Sequence, residues 1–211
     1  MKHLSYLSAE FFLLFIVLPL SFALSYPVLL KAIFALLGFL YIIYVLIRVE
    51  RISFRIEKNV AWRSFLKRLL ITFLAVAVIT TLFVWISDAS ALFYVPMNKP
   101  GLYAIIILVY TILSVWPQEI IYRTFFIKRY EKLFRSKSLL IFINAIVFSL
   151  AHIFFRNTLV TILTFLGGLL FAFSYLKFRS TTLVSIEHAL YGNWLFTVGM
   201  GKMLAFPGME N

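Results

Sequence analysis

The sequence contains no cysteine and few charged residues. The absence of cysteine excludes disulfides, thiolate metal sites, cysteine nucleophiles and iron–sulfur clusters. Charged residues make up 13% of the 211-residue chain, whereas hydrophobic residues make up 63% and the mean hydropathy is +1.00. A soluble domain is about 45–50% apolar and about 25% charged. Because one aqueous core cannot bury this much apolar surface, the composition excludes a soluble domain and predicts a polytopic membrane protein.

Acidic residues are also scarce. The chain has 8 Asp and Glu against 20 Lys and Arg, which gives a formal net charge of +12. In a soluble protein this charge would suggest nucleic-acid binding, but in a membrane protein Lys and Arg accumulate on cytoplasmic loops. We therefore expect the lipid bilayer as a partner and no nucleic acid.

The hydrophobic runs predict an all-α fold, a polytopic transmembrane helix bundle. A spanning helix needs about 20 mostly apolar residues. Seven such spans are predicted, at residues 6–24, 28–47, 69–86, 102–116, 139–155, 159–176 and 182–200. The fourth continues through Pro117 into a half-polar stretch, and residues 122–134 could form an eighth, tilted segment. The chain is thus divided into N-terminal helices with a basic loop, residues 1–100, and a C-terminal membrane region, residues 101–211.

The basic residues predict the orientation of the chain. With the N-terminus inside, fifteen Lys and Arg fall in cytoplasmic segments, four fall outside, and Arg123 lies inside the bundle. This bias predicts an odd number of spans with the C-terminus outside. Residues 50–68 are basic with interspersed apolar positions; we favour an ordinary positive-inside loop over an amphipathic helix on anionic lipid.

Ionisable residues inside predicted spans are rare, and such residues are usually functional. Glu119, His152, Glu187 and His188 fall in predicted helices of the C-terminal half. Glu119 and Arg123 are four residues apart, which puts both on one helix face. They could form a structural ion pair, and the His and Glu residues could equally be interhelical hydrogen-bonding groups.

These segments resemble the motifs of the CPBP intramembrane proteases, the CAAX-prenyl endopeptidases and the bacterial Abi or bacteriocin-processing proteins. The family pattern is Glu-Glu-x-x-x-Arg, then Phe-x-x-x-His, then His-x-x-x-Asn/Asp. The chain offers Gln118-Glu119-x-x-x-Arg123, then Phe148-x-x-x-His152, then His188 followed by Asn193. The resemblance covers roughly residues 115–199 and implies a multi-pass protein, here expected in a bacterial cytoplasmic membrane.

The chain departs from this pattern at two positions. The family's first acid, usually taken as the catalytic one, is Gln118, and a neutral amide cannot act as a general base. The last polar residue, Asn193, is five residues after His188, which leaves it about 140° away on an ideal helix. A π-bulge at Gly192 would bring His188 and Asn193 back onto one helix face. The alternative is that the protein is a divergent, inactive member of the family.

The resemblance implies peptide-bond hydrolysis, with a peptide or membrane-protein substrate. Hydrolysis requires an activated water and a stabilised oxyanion. Glu119 would be the general base, His152 and His188 would orient the water or polarise the carbonyl, and Asn193 would donate to the oxyanion. Arg123 would hold Glu119 in place. Gln118 and Glu187 are supporting candidates, and no cofactor-binding residue is assigned.

A catalytic zinc needs three protein ligands and one open position. His152, His188 and Glu119 could supply three, but Glu119 would then have to be ligand and base together. Adjacent helical residues point about 100° apart, so Glu187 is not expected to share the cavity with His188. We therefore slightly favour a metal-free glutamate mechanism over zinc.

Two other functions stay open from the sequence. The protein could be a catalytically inactive family member that binds peptide or bacteriocin, an immunity-type protein, as Gln118 suggests. It could also be a small transporter in which Glu10, Glu119 and the two His residues form a proton path, although no inverted repeat is visible. The motifs identify no substrate and no oligomeric state.

Overall fold

The computed structural model describes residues 2–52 and 61–204, with side chains for residues 4–52 and 61–202. In this part of the chain the structure contains helices and turns and no strand. The all-α prediction is confirmed. Residues 53–60, which include much of the basic segment for which a loop or a surface helix was considered, lie outside the described residues.

Among the described residues, six helical segments are long and apolar enough to cross a membrane. They are α1 (Leu4–Ser21), α2 (Val28–Val49), α3 (Trp62–Ala91), α4 (Pro100–Leu133), α5 (Lys137–Phe155) and α6 (Thr158–Phe178). A further helix, α7 (Thr181–Val198), lies where the seventh span is predicted. It is not one of the six, because polar residues along it lower its hydropathy. The number of spans and the orientation stay predictions.

Shorter elements complete the described chain. A short α-helix, Tyr94–Asn98, connects α3 to α4, and a 3-10 helix, Met200–Leu204, follows α7. Within the long segments the backbone is π-helical at Leu13–Val17, Val45–Val49, Tyr110–Val115 and Ile120–Phe125. Two of these π-helical segments therefore flank Trp116–Glu119, the short α-helical turn in the middle of α4.

Two helix boundaries differ from the hydropathy-based prediction. Segment α3 begins at Trp62, and residues 63–68, assigned above to a cytoplasmic loop, are helical. Segment α4 runs unbroken from Pro100 to Leu133, so the predicted continuation through Pro117 is confirmed and residues 122–133 belong to the same segment. Local π geometry is one way in which membrane helices accommodate a proline, which lacks a backbone N–H.

The chain forms two compact units. The first combines the described residues before the 53–60 gap with Ile120–Phe173, and the second combines those after the gap, up to Glu119, with the residues from Ser174 onward. Each unit draws on both sides of the boundary expected near residue 100. The division at that residue stays a prediction.

The first unit is held by aromatic packing and one buried charge cluster. The ring of Phe15 packs against four aromatic rings of α4: those of Tyr122, Phe125, Phe126 and Tyr130. The guanidinium of Arg129 donates 2.9 Å hydrogen bonds to the carboxylates of Glu10 and of Glu50. Glu10 is thus the partner of a cation on α4.

The second unit packs α7 against α3 and against the first half of α4. Ser180 caps the start of α7 by accepting a hydrogen bond from the backbone N–H of Leu183, and caps of this kind satisfy donors that the helix leaves unpaired. Gly199 ends the helix with a left-handed backbone conformation, at φ 106°. Its ideal Cβ would lie 2.2 Å from the carbonyl oxygen of Ala91, so glycine is required there.

Candidate active site

Glu119 and His188 form a hydrogen-bonded pair in the second unit. The Nδ1 atom of His188 lies 2.8 Å from Oε1 of Glu119. Glu119 ends the short α-helical turn Trp116–Glu119 and is 0% exposed, while His188, near the middle of α7, is 6% exposed. Two of the predicted site residues, 69 positions apart in sequence, are therefore in direct contact.

The protonation of the two groups decides the direction of this hydrogen bond. When Glu119 is ionised, its carboxylate can only accept, and Nδ1 of His188 then carries the proton and donates it to Glu119. In the neutral ring, Nε2 is then an acceptor. The pair thus combines a carboxylate with an imidazole of defined tautomer, which is an arrangement suited to moving protons.

Tyr110 and Gly192 lie beside this pair. The Tyr110 ring makes edge-to-face contacts with the rings of His188 and Phe196, at centroid distances of 6.1 Å and 5.0 Å. An ideal Cβ at Gly192 would lie 2.0 Å from the Tyr110 hydroxyl oxygen. Glycine is therefore needed at 192 because the phenol of Tyr110 occupies the space that a side chain would fill.

The π-bulge at Gly192, one of the two possibilities left open by the sequence, is absent from α7. Segment α7 is α-helical from Thr181 to Val198, and the π-helical segment Tyr110–Val115 is in α4. Asn193 donates from Nδ2 to the hydroxyl of Thr111 at 3.0 Å, so it contacts the residue next to Tyr110. Its predicted oxyanion role stays a prediction.

The Gln118 side chain is hydrogen-bonded within its own helical segment, α4. Its side-chain Nε2 donates to the hydroxyl of Ser114, one turn earlier, at 2.8 Å. The family pattern has an acid at this position, and here the amide is held by a local hydrogen bond. Gln118 neighbours the Glu119–His188 pair without supplying a second carboxylate to it.

Glu187 lies in a separate polar cluster, formed with residues of α3 and α6 and with Tyr191. Its Oε1 accepts from Arg68 at 2.7 Å and from the Tyr191 hydroxyl at 3.1 Å, and its Oε2 accepts from Ser174. The Tyr191 hydroxyl also hydrogen-bonds Thr72. Arg68, assigned from the sequence to a loop, is therefore the ion-pair partner of Glu187. The Glu187 carboxylate, which lies in a predicted membrane span, is thus paired with a cation.

Arg123 belongs to the first unit and is 0% exposed. Its Nη1 donates to Oδ1 of Asn144 at 2.6 Å, and the Asn144 amide donates to the backbone carbonyl of Tyr122. The guanidinium also lies over the Phe148 ring, 4.6 Å from its centroid. These contacts fix Arg123 between α4 and α5, and its predicted action on Glu119 stays a prediction.

His152 also belongs to the first unit, just beyond the α-helical part of α5. Its Nδ1 donates to the carbonyl of Phe148 at 2.8 Å, because a carbonyl oxygen can only accept. Its ring stacks on Phe155 at a centroid distance of 6.0 Å. The hydrogen bond leaves Nε2 as the acceptor atom, as in His188. Its inclusion in one cavity with Glu119 and His188 stays a prediction.

The described side chains also bear on whether the site could hold a metal ion. No group of three or more His, Asp or Glu in residues 4–52 and 61–202 is arranged to hold one. A catalytic zinc requires three protein ligands. The described residues do not supply the set considered above, and no step below passes through a metal.

Three polar partners of the predicted site residues were not identified from the sequence: Arg68 beside Glu187, Tyr110 beside His188 and Thr111 beside Asn193. Arg68 was assigned to a loop because charged residues lower hydropathy at the start of α3. Tyr110 and Thr111 lie in a span where one tyrosine and one threonine look unremarkable. The one available signal was Gly192, since a glycine one turn after a polar residue often marks a close approach.

Residues 100–194 match the family model described as type II CAAX prenyl endopeptidase Rce1-like. The matched segment includes both members of the Glu119–His188 pair and all three motifs quoted above, and it confirms the predicted family resemblance. Comparison with curated proteins and comparison with solved structures gave no match to the chain.

Proposed function

We propose, from the membership of residues 100–194 in the Rce1-like family of CAAX prenyl endopeptidases, that this integral membrane protein is an endopeptidase. At the family level the match supports an intramembrane peptidase. The finer proposal is that it hydrolyses a peptide bond with a water activated by Glu119. The observation that carries it is the buried 2.8 Å contact between Glu119 and His188.

In the proposed reaction, Glu119 takes a proton from a water molecule as the water oxygen attacks the carbonyl carbon of the scissile bond. The carbonyl oxygen becomes an oxyanion. When the tetrahedral intermediate collapses, the C–N bond breaks and the proton passes from Glu119 to the leaving amine. His188 holds the carboxylate in position through Nδ1 and stabilises its charge.

We further propose that the protein acts in a bacterial cytoplasmic membrane, on a peptide or on the end of a membrane protein. The basic-residue bias supports an orientation with the N-terminus on the cytoplasmic side of that membrane. The family's name gives the first substrate to test, a peptide that ends in a prenylated CAAX sequence.

The test is cleavage of an internally quenched peptide ending in CAAX, in farnesylated and unmodified forms, by the full chain in lipid vesicles. Glu119→Gln should lower kcat by about 10²–10⁴, the usual effect of removing a general base. The amide oxygen can still accept from His188, so the fold should persist. Glu131→Gln, the same substitution later in α4, is the matched control and should keep wild-type kcat.

Gln118 provides a comparison of magnitudes in the same assay. Gln118→Ala removes a neutral hydrogen bond worth about 0.5–1.5 kcal/mol, or roughly tenfold in rate at most. Equal activity of Glu119→Gln and wild type would contradict the proposal.

A second function is favoured by one observation, the amide at position 118. A family member without its first acid could bind a peptide without cleaving it. Anisotropy measurements with the same labelled peptides would reveal this as binding without cleavage. A strong gain of cleavage in Gln118→Glu would indicate a degenerate enzyme and favour this second reading.

A further inference from the structure

We infer that the Tyr110 hydroxyl is the hydrogen-bond donor that stabilises the oxyanion at the Glu119–His188 site. The inference rests on the proposed hydrolytic function and adds a catalytic residue to it. Neither the family pattern nor the charge distribution points to Tyr110; the geometry of α4 and α7 does.

The first observation is the place of the hydroxyl. Gly192 is four residues after His188 on an unbroken α-helix, so both lie on the same face of α7. The Tyr110 oxygen lies where the side chain of residue 192 would begin, 2.0 Å from the ideal Cβ. The hydroxyl therefore occupies the position one turn beyond His188, where the helix itself offers no side chain.

The second observation is the fixed orientation of the ring. Edge-to-face contacts with the rings of His188 and Phe196, both on α7, hold it. Electrostatic stabilisation is most effective when a donor is already aimed where charge develops and needs no reorganisation. A phenol held by two rings meets that requirement better than a long, flexible side chain.

The third observation concerns the competing donor. Asn193 is rotated about 140° from His188 on an α-helix, and its Nδ2 donates to Thr111 at 3.0 Å. The absence of a π-bulge in α7 leaves this rotation uncorrected. The Tyr110 hydroxyl lies against the His188 face of α7 at Gly192, whereas Asn193 points about 140° away from that face.

In the reaction, the Tyr110 O–H donates to the carbonyl oxygen as negative charge develops there, and keeps its proton throughout. The water proton still goes to Glu119 and then to the leaving amine, so Tyr110 neither gains nor loses a proton in the reaction. Its contribution is made in the transition state, which predicts an effect on kcat with little effect on KM.

The test is Tyr110→Phe, which removes one oxygen and keeps the ring contacts, in the vesicle assay with the quenched peptides. We expect kcat to fall by about 10²–10³, the effect of losing one oxyanion donor, with KM nearly unchanged. Tyr103→Phe is the matched control. Tyr103 is on the same segment and hydrogen-bonds Thr197 at 2.6 Å, away from His188, so this variant should keep wild-type kcat.

Three results would overturn the inference. If Tyr110→Phe cleaves like wild type while Glu119→Gln does not, the hydrolytic function stands and the role of Tyr110 is wrong. If Asn193→Ala loses kcat by the larger factor, the amide is the donor. If wild type and Glu119→Gln are equally inactive, the proposed hydrolytic function has itself failed, and the role of Tyr110 fails with it.

Discussion

At the scale of single residues, two buried glutamates of the second unit have different surroundings. Glu119 pairs with an imidazole, whereas Glu187 is bound by a guanidinium and two hydroxyls. A carboxylate that accepts hydrogen bonds from an arginine and two hydroxyls is held in one place. Glu187 therefore fits a structural role, in which its contacts fix the rotation of α7. Glu119 is the candidate catalytic carboxylate.

Arg68→Met tests this assignment. Removing one partner of a buried ion pair leaves the other charge uncompensated, which costs about 3–5 kcal/mol. Since the Arg68 side chain is 15% exposed, we expect the low end of that range, measured as a lower Tm in detergent. The double variant Arg68→Met/Glu187→Met should recover much of the loss, because an apolar pair replaces both charges.

Arg63→Met is the matched control for the arginine substitution. Arg63 is exposed and lies five residues earlier on α3, so its loss should leave Tm nearly unchanged. The Arg68–Glu187 ion pair does not stabilise the fold if Arg63→Met and Arg68→Met lower Tm equally. The same conclusion follows if the double variant has a lower Tm than either single variant.

Some contacts of these residues could be predicted from the sequence, and others could not. The rarity of ionisable groups in apolar spans and the motif resemblance made Glu119 and His188 candidate site residues, and the structure brings them into contact; their catalytic roles stay predictions. The partner of Glu187 was missed because Arg68 is at the polar start of α3, where hydropathy indicates a loop. The contacts of Tyr110 with His188 and Gly192 were missed because they depend on the position of α4 against α7, which no local pattern contains.

At the scale of elements, hydropathy predicted the helices well and their local geometry poorly. The seven predicted spans each overlap a helical segment of the structure. The π-helical segments at Tyr110–Val115 and Ile120–Phe125 were not predicted, because α and π turns share the same hydrophobic pattern. A π turn changes which residues face a neighbouring helix, and such turns are frequent at functional sites.

Contact between α5 and α6 depends on a small residue, and this gives a second stability prediction. An ideal Cβ at Gly168 would lie 2.8 Å from the Cα atom of Ala145. Backbone cannot move aside as a flexible side chain can, so Gly168→Ala should destabilise the protein by about 1–3 kcal/mol, as overpacking does. Small residues allow this close approach of membrane helices.

Gly101→Ala is the matched control for that substitution. Gly101 is also helical, but an ideal Cβ there has no atom within 4 Å. Since alanine favours a helix over glycine by up to about 1 kcal/mol, the Tm of this variant should stay the same or rise slightly. A lower Tm for Gly101→Ala than for Gly168→Ala would contradict the proposed packing.

At the scale of the whole molecule, the unsettled element is α7. It carries His188, yet it is less apolar than the six candidate spans. Fifteen of the basic residues were assigned to the cytoplasmic side, and two of these, Arg68 and Arg129, are held in ion pairs. The other thirteen basic residues on the cytoplasmic side still outnumber the four on the outer side. The charge bias therefore continues to support seven crossings.

Reporter fusions on both sides of α7 test this topology. A reporter after Ser180 should face the cytoplasm and one after Lys202 should face outside, because each crossing reverses the side. Fusions after Ser136 and Asn98 are the references, expected inside and outside. If the reporters after Ser180 and Lys202 face the same side, α7 does not cross the membrane. The Glu119–His188 pair would then join a spanning helix to a helix that enters without crossing, and an even number of spans would follow.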